Sequence, residues 1–307
     1  MNFARLLPLF LMAALSLAAC GKDDSSGDSA GTGTKDSGHV GGNGLLAFVP
    51  ENTPYFAGNL APMPDDVVDS YLRRVEPMLA TVQQEMTAIK QRIESDPERL
   101  ESEEGARIVH AVLQELDGKL NRAGLESLGF DITPEQVMYG MSAFPVIRTS
   151  LANADALRAT VQRVLDNAQV EAPKLQFQGQ DYWRFIPESH EYDENGDAIV
   201  DAGGTEPAED AIGIYIAILP DHIVLGVLPV FAEDAVLPAL LAKEIPASSS
   251  AENSLKSINK RFDYTPFGTG VIEFQKLYDE IVDANSLAGQ YISLSGHDLA
   301  KLNSDVC

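Results

Sequence analysis

Two things are scarce in this 307-residue chain: cysteine and positive charge. Its only cysteines are Cys20 and Cys307, so neither a disulfide framework nor a cysteine-based metal site is available. Lysine and arginine total 22 against 46 aspartates and glutamates, a formal net charge of -24 at pH 7. Such a surface repels nucleic acid and anionic headgroups, which excludes nucleic-acid partners and leaves cationic partners, divalent cations or plain solubility. Histidine is sparse too, and His39, His110, His190, His222 and His297 show no metal-ligand spacing. Catalytic motifs fail on inspection. Gly140-Met141-Ser142-Ala143-Phe144 opens like a nucleophile elbow, but Phe144 stands where a second glycine must let strand and helix approach. Ser257-Ile258-Asn259-Lys260 has the Ser-x-x-Lys spacing, but its companion elements are missing, so it reads as surface helix. No catalytic residue, metal or cofactor is assigned, and the chain reads as a non-enzyme.

What is present begins with an address. Residues 1–5 carry one positive charge, residues 6–17 are almost wholly apolar, and Leu17-Ala18-Ala19-Cys20 follows. This is the layout of a secretory signal with its cleavage site, and the apolar run is too short to span a bilayer comfortably. Leu17-Ala18-Ala19-Cys20 resembles the lipobox of bacterial lipoproteins. That resemblance implies a signal peptide over residues 1–19, a diacylglycerol on the Cys20 thiol, and a further acyl chain such as palmitate on the freed amine. Residues 20–44 are mostly Gly, Ser, Thr, Asp and Lys, too polar to fold, and read as a tether. A Gly/Ser coil of this length spans roughly 25–29 Å. By the resemblance, Gly21 in place of Asp directs the protein to the outer membrane facing the periplasm, whereas Lys22-Asp23-Asp24 looks like an acidic signal for surface display. The body stretches Phe48-Val49-Pro50-Glu51-Asn52-Thr53-Pro54-Tyr55 and 139–155 look like uncharacterised Gram-negative envelope lipoproteins, a likeness that brings no site residues.

Periodicity divides the body into three segments. In 45–128, residues 45–50 and 54–60 read as strands, followed by a long helix through Val68, Leu72, Val75, Leu79, Val82, Met86, Ile89 and Ile93. Pro77 predicts a kink. A second stripe through Ile108, Val112, Leu116 and Leu120, stopped by Gly124, completes a helical hairpin. That hairpin either grips a partner helix or packs its two stripes together. Segment 129–245 reads as strands 136–142 and 144–151, a helix capped by Asn153, hairpins 174–186 and 212–228, and a helix over 230–243. After a Ser-rich joint, segment 246–307 repeats a strand-then-helix order from Gly270, hinting at a repeated unit. Residues 290–294 then look strand-like, and 298–302 looks like the start of a further element. With Cys307 unpaired, the expectation is a longer protein whose continuation completes this unit and supplies the cysteine's partner; a complete chain with an exposed tail or an intermolecular disulfide is the alternative. The expected class is α+β, a mostly antiparallel sheet with helices packed on it and a long helical hairpin.

Two places in the body invite binding. Asp193, Asn195, Asp197 and Asp201 follow the opening of a calcium loop, but Ala198 and Gly204 occupy the positions that need Gly and Glu. Asn195-Gly196 is also the favoured turn of a hairpin between 191–192 and 199–200, so a solvated hairpin is expected. In the strand 212–219, Ile212, Ile214, Ile216 and Ile218 line one face and Gly213, Tyr215 and Ala217 the other, so both faces call for cover. Over Gly213, Tyr215 and Ala217 that cover is a close-packed helix or an apolar ligand. Together these readings point to a non-enzymatic, membrane-anchored envelope lipoprotein with a binding or assembly role. A carrier or sensor of an apolar ligand such as a lipid is the alternative. Mass spectrometry of the mature N-terminus is expected to find acylated Cys20, and Cys20→Ser to release the protein from the membrane; an unmodified N-terminus beginning elsewhere refutes the lipobox reading.

Overall fold

In a computed structural model, the described residues are 43–172, 174–186, 191–192, 198–199, 210–244 and 251–296. The leader with Cys20, the tether up to residue 42, the calcium-like residues Asp193, Asn195, Asp197 and Asp201, and residues 297–307 with Cys307 lie outside them.

The strands are β1 (Tyr55–Gly58), β2 (Gln136–Met141), β3 (Phe144–Ser150), β4 (Leu175–Phe177), β5 (Gln180–Phe185), β6 (Glu191–Tyr192), β7 (Ala198–Ile199), β8 (Ile212–Ile218), β9 (His222–Pro229) and β10 (Thr269–Ile272). Eight of them form one sheet in the order β10-β1-β2-β3-β9-β8-β5-β4, and every pairing is antiparallel. β6 and β7 pair separately, Glu191 opposite Ile199, which places the expected hairpin one residue out of its predicted register. The helices are α1 (Asp65–Glu94), α2 (Pro97–Ser102), α3 (Glu104–Leu116), α4 (Arg122–Ser127), α5 (Ala154–Ala168), α6 (Glu233–Leu240), α7 (Ala251–Phe262), α8 (Phe274–Val282) and α9 (Leu287–Leu294). The fold is α+β, as the periodicities required. β1 comes from the first sequence segment, β10 from the third and the other six strands from the second, so all three segments build one sheet.

The two faces of the sheet are covered differently. On the front, Phe56, Val137, Tyr139, Val146, Tyr215 and Leu228 meet α6, α7 and the 3-10 turn Gly44–Phe48 in the largest core cluster. On the back, Trp183 and Ile218 meet Ala154 and Leu157 of α5. α3 lies on α5, and α1 lies on α3 through Met86, Ile93 and Leu113. Among the described residues no helix is long and apolar enough to cross a membrane.

Several expectations need correction. Residues 45–50 are not a strand. Asn43 caps a 3-10 turn by accepting from the Leu45 amide at 2.9 Å, and this buries Leu45 and Leu46 together. Asn43 and Gly44, which fall inside the predicted tether, therefore belong to the folded body. The run 290–294 is helical because Ser286 caps α9 at the Gly289 amide, giving Leu287, Tyr291 and Leu294 a helical spacing. Gly124 does not stop the second helix of the hairpin. That helix ends at Leu116, and Gly124 lies inside α4, where its amide is capped by Asn121. Pro77 lies within α1, where it removes one backbone hydrogen bond at the place of the expected kink without ending the element. The β4–β5 turn falls at Gln178 and Gly179, whose φ values of 48° and 77° suit a tight hairpin.

Asn43 joins the start of the body to the sheet. Its side-chain amide donates to the carbonyls of Asn59 and Gln136 at 2.9 Å each and to Asn59 Oδ1 at 2.8 Å. Asn43→Ala removes the cap and takes from the buried Asn59 carbonyl its side-chain donor, while Gln136 and Asn59 Oδ1 keep their mutual contacts, so a loss of about 2–4 kcal/mol is expected, read as a lower denaturant midpoint at unchanged slope.

Candidate functional site

The strand singled out in the sequence is β8, and protein fills the face where a ligand was an option. A Cβ placed on Gly213 would lie 2.8 Å from Cε2 of Tyr215, so the tyrosine ring occupies the space the missing side chain leaves. Tyr215 is fully buried and stacks on Tyr182 at 6.4 Å, and Val236, Leu237 and Leu240 of α6 join Tyr215 and Ala217 in the core. The other face is less completely covered. Ile218 is buried beneath α5, but Ile212, Ile214 and Ile216 stay half-buried, contrary to the expectation that both faces are closed.

α6 is clamped at both ends by charge. At its N-terminus, Glu233 accepts from the Tyr182 hydroxyl at 2.5 Å and pairs with Arg184. A carboxylate there also suits the positive end of the helix dipole. Burial, reinforced by the Glu233 carboxylate, pushes the Tyr182 and Tyr215 hydroxyls well above their ordinary values, so both remain protonated donors. At the C-terminus stands Arg148, a fully buried arginine on the inward face of β3. Its Nη2 donates to the carbonyls of Ala239 at 2.9 Å and Leu240 at 3.0 Å, at the negative end of the same dipole. Nε donates to the Tyr139 hydroxyl at 3.1 Å, Nη1 to His222 Nε2 at 2.8 Å, and the guanidinium lies 4.3 Å from the Phe48 ring centroid.

Because an arginine only donates, His222 Nε2 must be unprotonated, and Nδ1–H donates to Asp221 at 2.7 Å. Burial and the adjacent guanidinium hold the imidazole below its ordinary value, with Asp221 opposing them. Among the described residues, Arg148 thus reaches a carboxylate only through a neutral histidine.

The clamped helix forms one wall of a groove of about 750 Å³. Ala232 and Val236 are its buried floor; Phe231, Ala235, Met141 and Leu287 are its sides, and Ser142, Gln290 and Glu244 supply polar groups. The opposite wall is α9, held to the β2–β3 turn by Ser142. Its hydroxyl donates to Glu280 of α8 and accepts from the Ala288 amide at 3.3 Å. Ser142 has φ 54° in a two-residue hairpin turn, a different setting from the strand-to-helix elbow its sequence resembles. Ser257 and Lys260 are exposed on α7, as the surface-helix reading required. The groove can accept apolar side chains or an acyl chain along its floor and hydrogen-bond polar groups at its edge. None of its lining residues was singled out as ligand-binding in the sequence, because they come from separate elements and each alone reads as ordinary core or surface.

In the helical hairpin, Met86, Ile93 and Leu113 close the seam, while Met78 and Val82 on α1 stay exposed. Among the described residues, no group of three or more His, Cys, Asp or Glu side chains is arranged to hold a metal ion.

The depressed His222 value sets the sign of a pH effect. The unfolded chain takes up this proton near pH 6.5, the folded one only at lower pH, so its stabilisation is complete above 6.5 and declines as pH falls toward the folded value. The denaturant midpoint is expected to fall between pH 7 and pH 5, and less steeply in His222→Gln; equal slopes would remove His222 as the cause. No family of proteins, curated protein or solved structure matches this chain.

Proposed function

We propose that this chain is a non-enzymatic lipoprotein of a bacterial envelope, anchored through Cys20, whose body binds a protein partner in the groove between α6 and α9. The observation that carries the binding role is the groove's construction. An apolar floor lies between walls fixed by buried polar contacts, and exposed Phe231, Ala235 and Gln290 leave it open to a chain laid along it. Open apolar grooves with a polar rim suit the apolar face of a partner segment. The lipobox-like leader supports the anchor, and Gly21 supports an outer-membrane site facing the periplasm, with Lys22-Asp23-Asp24 as the feature favouring surface display. The net charge of -24 argues against nucleic acid as the partner. The predominantly apolar lining also favours a second reading, a carrier or sensor of an apolar ligand such as an acyl chain.

A photocrosslinking residue placed at Ala235 of the full, anchored chain tests both. A discrete protein adduct, absent when the same residue replaces exposed Ser257 and reduced at least about tenfold by Leu287→Glu, supports the first reading. A lipid adduct identified by mass supports the second, and labelling at Ala235 no stronger than at Ser257 refutes both.

A further inference from the structure

A second concavity lies away from the groove, where α5 meets the β4–β5 hairpin on the back of the sheet. It has a volume of about 350 Å³, at the lower end of the range for small-molecule sites. Its lining is unlike the rest of this acidic chain: Arg158 and Gln162 one turn apart on α5, Lys174 and Gln176 at β4, and Asp181 and Trp183 on β5.

Three observations bear on what it takes. Lys174 Nζ stands 5.9 Å from the Trp183 ring centroid, and it has no ion-pair or hydrogen-bond partner among the described residues. In a chain with 46 carboxylates to 22 bases, a cation left without one at the mouth of a pocket calls for an anion from elsewhere. Arg158 is fixed in direction, because Nη2 donates to the Ile218 carbonyl at 2.9 Å and Nη1 to Asp155 at 2.6 Å. The carboxylate of Asp181 is engaged by Gln176 Nε2 at 3.1 Å, and Gln162 Nε2 donates to Asp166 at 2.8 Å, leaving the Gln162 carbonyl as an acceptor. Finally, Trp183 lines the pocket while only 7% exposed, so its ring is a fixed apolar wall rather than a mobile surface side chain.

We infer that this pocket binds a small organic oxyanion, its charged head between Lys174 and Arg158 and its apolar side against Trp183. Carboxylate and phosphate heads share this chemistry. The inference stands apart from the groove, since the two concavities share no lining residue.

The chain has one tryptophan, so its fluorescence and its single indole N–H resonance report on this pocket alone. The full chain is titrated at constant ionic strength with glucuronate, inorganic phosphate, glucose 6-phosphate, neutral glucose and sodium chloride. A saturable shift of the indole resonance with glucuronate or a phosphate is expected, absent with glucose and sodium chloride. Which oxyanion binds tightest identifies the head. Lys174→Gln, on an exposed side chain that folding does not need, is expected to weaken binding about tenfold or more, the worth of one charge-assisted hydrogen bond. Arg158→Gln provides an independent second variant with the same expected direction. No saturable shift with any oxyanion, an equal response to glucose, or unchanged affinity in both variants overturns the inference.

Discussion

Much of the front layer depends on one buried cation. Arg148 sits in the middle of an apolar core with no carboxylate of the described residues in direct contact, and its hydrogen bonds go to two carbonyls at the end of α6, a tyrosine hydroxyl and a histidine nitrogen. Removing a charge from water is expensive, and four hydrogen bonds from the five N–H donors, with a facing helix dipole, make the position tenable. In exchange, the position of α6 on the sheet is dictated by direction as well as by apolar contact. Oil-like packing alone would tolerate a helix slid by a fraction of a turn; a guanidinium nitrogen bonded to two successive carbonyls, with its other two nitrogens held by the sheet, does not. The turn Gly44–Phe48 is fixed by the same group, since Phe48 covers the guanidinium and lies 5.2 Å from the His222 ring.

Local signals in the sequence located most elements. Alternation marked β2, β3, β8 and β9; Asn153 marked the start of α5, where its side chain accepts from the Ala156 amide at 3.0 Å; and the long stripe marked α1. The misread elements share a cause. Residues 45–50 and 290–294 are short apolar runs in which period 2 and period 3.6 cannot be told apart, and capping by Asn43 and Ser286 decided between them. Arg148 had a legible trace, because its place in β3 two residues from Val146 puts it on the inward face. Alternation could place it there but could not supply its partners, which come from β2, β9 and α6. The groove and the oxyanion pocket were illegible for a related reason. Each is made by elements that are neighbours only after the sheet has formed.

The doubly apolar strand shows how an accurate reading of one strand can leave its surroundings open. Inward-facing Gly213, Tyr215 and Ala217 are all buried in the core, and what covers them is tyrosine and helix rather than a guest. Small residues in a strand permit close approach, but they do not say by what. Here Gly213 accommodates a ring belonging to the same strand, which lets Tyr215 stack on Tyr182 beside the Glu233 clamp.

The pairing of β1 with β10 carries a consequence for the order in which the molecule is made. β1 lies between β2 and β10, with Gly58 opposite Thr269 and Tyr55 opposite Ile272. Whatever machinery delivers the chain N-terminus first, one flank of β1 therefore waits for almost all of the described body to arrive before its backbone groups are paired. A free strand flank is a template for pairing with another chain, so a stalled or clipped product lacking residues from Thr269 onward would expose β1 as an adhesive edge. Arrival of β10, the last of the described strands, in this sense acts as the seal on β1, the first of them.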